Sequence, residues 1–192
     1  MAASGYPVGL DVDGPAAQNR LSVLLRLIFA IPHVIVLYIL LLVAEIVVFI
    51  SWWVILFTGK LPAGMANFVA NVLQWGARVG GYYALLTDKY PPFAMGEDSS
   101  YPVRLSITPQ LEGRNRLTVF FRILMVIPQA IVLYIVTLVA EILVFISWIV
   151  ALFTGTVPAG MHNFIAGWLR WELRVNAYML LLTDQYPPFS LN

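Results

Sequence analysis

Two stretches of this chain are almost wholly apolar. From Val34 to Phe57 only Glu45, Ser51 and two tryptophans interrupt the run, and Ala130 to Phe153 repeats it at the same length. Each is about 24 residues long, where about 20 suffice to cross a bilayer. Before each run the polar residues fall at helical spacing: Asn19, Ser22, Arg26 and His33, then Asn115, Thr118, Arg122 and Gln129. Such a stripe predicts an amphipathic helix in the membrane interface, with Arg26 and Arg122 among the headgroups. Pro32 and Pro128 then mark the turn into the bilayer. One long helix with a proline bend, running on from Asn19–Ile31 and Asn115–Ile127, fits the same residues.

After each run Gly59 or Gly155 suits a left-handed helix end, and Pro62 suits the first turn of a second helix. That helix is predicted from about Gly64 to Leu86. Its polar groups Asn67, Asn71, Gln74 and Arg78 line one face, as do Asn163, Arg170 and Arg174 in the second copy. Polar groups at membrane depth face protein or a wet cavity. The segment YPVRLSITP at Tyr101–Pro109 alternates like a strand or extended arm.

Shifted by 96 residues, the chain overlays itself without a gap from Asn19 to Phe93, with about 47 of 75 positions identical. Two tandem repeats follow, 1–95 and 96–192, joined through the small acidic stretch Ala94–Ser100. The fold class expected is therefore all-α integral membrane. It has two tandem helical-hairpin repeats (four transmembrane helices), amphipathic interfacial helices and short extended cytoplasmic arms.

Composition agrees. Hydrophobic residues make up 60% of the 192 and charged residues 11%, against about 25% charged in soluble domains. The net charge of +1 points to no nucleic acid, and zero cysteines exclude thiolate chemistry. The first residues lack the basic start and apolar run of a cleavable signal, so the first apolar helix is expected to act as an uncleaved one. Lysine and arginine gather on the termini and linker, while the hairpin turns hold only Lys60. The positive-inside rule then puts both termini in the cytoplasm, with both repeats pointing the same way.

Depth arithmetic makes a further prediction. Glu45 lies about as far before the turn as Arg78 lies after it, so at about 1.5 Å per residue they share a level. An intramembrane Glu45–Arg78 contact is expected, and a matching Glu141–Arg174 contact. Such a pair either pins hairpin register or forms an ion, proton or lipid-headgroup site. Arg170 and Glu172 have Gln74 and Gly76 as counterparts. Arg170 is expected to find its partner in Glu172 of a neighbouring chain or in an anionic lipid.

No nucleotide loop, hydrolase triad or metal-ligand spacing is present. The Thr-Asp pairs Thr87–Asp88 and Thr183–Asp184 read as caps and turns. No cofactor is expected and no catalytic residue is assigned.

The pattern YPVR…R…IPH…FTG…LLTD.YPPF, present twice, resembles the bacterial membrane proteins of the domain of unknown function 4389 family. The resemblance implies a small protein of the bacterial cytoplasmic membrane and transfers no activity. Gly9 stands where the pattern has arginine, so that arginine's contact is not carried over to the first arm. The function expected is a non-enzymatic structural or accessory subunit that oligomerises or joins a larger membrane complex, with membrane lipids as partners. The alternative is a lipid- or ion-handling protein using the Glu/Arg/Asn stripe.

Overall fold

The computed structural model describes residues 5–192, so the first four residues of the 1–95 repeat lie outside the described residues. The elements run β1 (Val8–Val12), α1 (Arg20–Thr58), α2 (Ala63–Tyr83), β2 (Val103–Ile107), α3 (Arg116–Phe120), α4 (Arg122–Thr154) and α5 (Ala159–Met179).

α1 is one continuous helix of 39 residues with Pro32 inside it, some 58 Å long at about 1.5 Å per residue. The first turn and the apolar run are thus one element, as the long-helix reading has it. Asn19 starts it, its side chain accepting from the Leu21 N–H at 2.9 Å. Gly59 ends it at φ 71°, where a Cβ would be strained. In the second copy the helix breaks at Phe121, between α3 and α4, and not at Pro128.

The buried positions of α1 are Val23, Arg26, Ala30, His33, Leu37, Ala44, Ser51 and Ile55. Steps of three, four and seven residues keep them on one narrow seam. The rest of the circumference is exposed and apolar, with residues such as Ile28, Ile35, Ile39, Ile46 and Phe57 open to the surroundings. The amphipathic stripe expected to meet headgroups is this seam. Its polar groups point into the protein, and the apolar groups point out.

The two repeats interlock. β1 and β2 form an antiparallel two-stranded sheet in which Leu10 faces Leu105 and Asp11 faces Arg104. β2, from the second repeat, packs on α2 of the first, and β1 packs on α5 of the second; among the described residues the sheet touches neither α1 nor α4. Glycine is required at that contact: a Cβ on Gly81 would lie 2.7 Å from a Val103 methyl.

The hairpins lie antiparallel, each turn against the base of the other. Arg114 N–H donates to Gly59 O (3.2 Å), Leu61 N–H to Leu111 O (2.8 Å) and Gln18 N–H to Gly155 O (2.8 Å). Trp52 Nε1 donates to Val119 O at 3.0 Å, and its counterpart Trp148 to Val23 O at 2.8 Å. This corrects the expectation that both repeats point the same way with Lys60 alone across the bilayer. Lys60 pairs with Glu112 at 2.9 Å, beside Arg114.

Three layers result. α1, α3 and α4 form an apolar face, α2 and α5 lie beneath it, and the sheet lies on their far side. Of the four expected spans, only α1 and α4 are long and apolar enough to cross a membrane.

Candidate functional site

An aspartate organises the base of each hairpin. Asp88 accepts from the Asn19 N–H (3.0 Å), the Ser22 hydroxyl and Arg26 Nη2 (2.9 Å). Arg26 also donates to the carbonyls of Tyr82 and Thr87 and is 1% exposed. In the second copy Asp184 holds Arg122 at 2.5 Å and Arg114 at 2.7 Å. Burial works to raise the Asp184 carboxyl, but the Arg114 hydrogen bond and the Asn115 N–H overcome it and hold the group below the usual carboxylate range. Arg26 and Arg122 are therefore buried anchors, not headgroup contacts. The sequence signals this weakly: the Thr-Asp pairs read as caps and turns, and Thr87 Oγ1 does accept from the Lys89 N–H (3.1 Å). Nothing in the pattern paired them with an arginine some sixty positions away, nor marked out Gln18 and Arg114 beside them.

The expected Glu45–Arg78 and Glu141–Arg174 contacts are not formed. Arg78 donates to Gly96 O at 2.6 Å and to Ala94 O, and Arg174 to Asn192 O at 2.6 Å. Glu45 and Glu141 are exposed on the long helices. Residue spacing misplaces the level as well as the azimuth: Trp75 meets His33 and the Tyr82 carbonyl meets Arg26, so Arg78 lies beside the stretch between those two residues, well before Glu45. Glu45 follows the seam residue Ala44, about 100° around the helix.

The α2 stripe faces chain, not a groove. Gln74 donates to Leu105 O (3.2 Å) and Glu97 (3.3 Å), and Asn71 approaches Gly96. Asn67 and Asn163, at the ends of the two stripes, are exposed. On α5, Arg170 donates to Leu10 O (3.0 Å) and Leu191 O (2.8 Å), partners within its own chain where a neighbouring chain or a lipid was expected. Gly167 lets the tail pass, since a Cβ there would lie 2.8 Å from Leu191 O. Glu172 is half-buried in a central groove with Glu141 and Thr137.

Two further clefts open where the start of one long helix meets the last third of the other. One, about 340 Å³, is lined by Glu45, Phe49, Trp52, Arg122 and Leu181 among others. The second, about 410 Å³, has Glu141, Phe145, Trp148, Arg26 and Leu85 in the corresponding places.

Fold and site together define a two-repeat helical protein with an inside-out amphipathic pattern and a small polar sheet. The chain belongs to the family described as Domain of unknown function (DUF4389), which it matches twice, at residues 20–95 and 116–190. No curated protein and no solved structure matches it.

Proposed function

We propose that this is a monotopic, non-enzymatic membrane protein. It is held in one leaflet by α1, α3 and α4, and serves as a structural or accessory subunit that offers its polar side to a partner or to further copies of itself. The observation that carries the reading is the position of the sheet over α2 and α5. Its outer face bears Arg104 paired with Asp11 at 2.5 Å and Asp13 at 2.7 Å, and the segment holding Glu97 and Asp98 runs beside Gln74 and Arg78. Were α2 and α5 to span, these charges and irregular backbone would sit at mid-bilayer, where each unsatisfied polar group costs several kcal/mol. With the long helices lying in the leaflet, the exposed apolar side chains meet lipid while both turns, the linker and the sheet meet water. The positive-inside rule favours the cytoplasm for that polar side.

The chain has no cysteine, so single cysteines report topology cleanly. Cysteine placed at Lys60, Ser99, Ser106 or Thr156 is expected to react with an impermeant maleimide from the same side of sealed vesicles. Labelling of Lys60 and Thr156 from opposite sides, as spanning in this antiparallel arrangement requires, would end this reading.

A further inference from the structure

We infer that the two flanking clefts are paired sites for lipids with an ammonium headgroup, each taking an acyl chain along its apolar lining and the ammonium against Glu45 or Glu141. The inference rests on the reading of the apolar face as lipid-facing. Both clefts have the volume of small-ligand sites, about 300–1,000 Å³. They preserve the same chemistry across the duplication: one carboxylate, one phenylalanine, one tryptophan and one buried arginine.

Charge decides the class of occupant. Arg26 and Arg122 line the clefts, but both are buried, and their Nη groups are spent on Asp88 or Asp184 and on backbone carbonyls. Among the described residues Glu45 and Glu141 enter no ion pair and are exposed while the arginines are buried, so the accessible charge of each cleft is negative. A carboxylate on an otherwise apolar, lipid-facing surface needs a donor or a cation. Glu141 takes one hydrogen bond from Tyr83, and Glu45, with Met179 in the corresponding place, does not. The tryptophan N–H groups are spent on Val119 O and Val23 O. What Trp52 and Trp148 have left for the cleft is ring surface, which attracts ammonium and quaternary ammonium groups. Anionic lipids and fatty acids find no accessible cation there, since Arg26 and Arg122 are buried.

The test is native mass spectrometry of the delipidated full chain in detergent, offered phosphatidylethanolamine, phosphatidylcholine or phosphatidylglycerol in turn. Two molecules of one or both ammonium lipids are expected to be retained over phosphatidylglycerol. Glu45→Gln and Glu141→Gln should each lose one, and the double variant both, with unchanged circular dichroism because neither side chain holds an ion pair. Preference for ethanolamine would assign the head to hydrogen bonding with the carboxylate, and preference for choline to the ring faces. Equal retention of phosphatidylglycerol, or unchanged binding in the double variant, would overturn the inference. Binding in detergent is independent of topology. Spanning hairpins in the labelling experiment, with glutamate-dependent retention intact, would remove only the single-leaflet placement.

Discussion

Asp184 holds two buried guanidinium groups at once, Arg114 at 2.7 Å and Arg122 at 2.5 Å. Its folded pKa lies below its ordinary value. The stability it contributes is therefore fully present above the unfolded carboxylate pKa, about 3.9, and is lost as pH falls through the lower folded value. Asp184→Asn should remove that acid-dependent step and, by leaving buried charge unpaired, cost about 3–5 kcal/mol at neutral pH. Denaturation in detergent followed from neutral pH down to acid checks both, and a variant that matches the parent at neutral pH would contradict the anchoring role. At this scale the sequence was half legible. The stripe Asn19, Ser22, Arg26, His33 was visible as a helical face, but a polar stripe has two physical partners, water and protein. Here the exposed circumference of the helix is apolar, and the polar groups Arg26 and His33 take the buried seam. Trp75 Nε1 donates to His33 Nδ1 (3.3 Å), and Trp171 Nε1 to Gln129 Oε1 (2.8 Å), so one geometry is kept by two chemistries. That substitution, His33 for Gln129, looks functional in sequence and is structural in place.

Among the elements, the turns, both extended arms and both apolar helices follow from local pattern, because Gly59, Pro62 and the strand alternation act over a few residues. What local pattern omits is which element an arm lies on. β2 docks on α2 through the bare backbone of Gly81. A methyl there would meet Val103 Cγ2 at 2.7 Å and Cγ1 at 3.0 Å. Val103 is fully buried and cannot swing aside. Gly81→Ala should therefore lift the sheet and cost about 1–3 kcal/mol, as overpacking does. Adding Val103→Ala removes the clashing methyls and should recover part of the loss. Hydrogen exchange read on Val8–Val12 and Val103–Ile107 checks it. If the sheet amides stayed as protected in Gly81→Ala as in the parent, the close approach would not be what fixes the sheet.

At the scale of the molecule, the duplication was plain in the sequence but the relation between the copies was not, since two similar repeats read the same whether they lie parallel or antiparallel. The contacts are reciprocal. Each repeat lends a strand to the other's second hairpin helix (α2 or α5), a tryptophan N–H to the other's first helical turns (Val119 in α3, Val23 in α1) and a turn carbonyl to the other's base. A single copy would leave its strand without a partner, the buried carbonyl of Val23 or Val119 without its indole donor, and the seam of its long helix partly bare. An unpaired strand also offers a row of free backbone groups to any other chain. Divided after Ser99, which leaves the segment at Ala94–Gly96 on Arg78, the two halves should fail to form monodisperse species alone. Co-expressed, they should purify together at one-to-one stoichiometry in detergent, with labelling at Lys60 and Thr156 matching that of the intact chain. Either half running alone as a folded monomer would mean that the repeats are independent hairpins, and that the antiparallel interlock is not what holds this fold together.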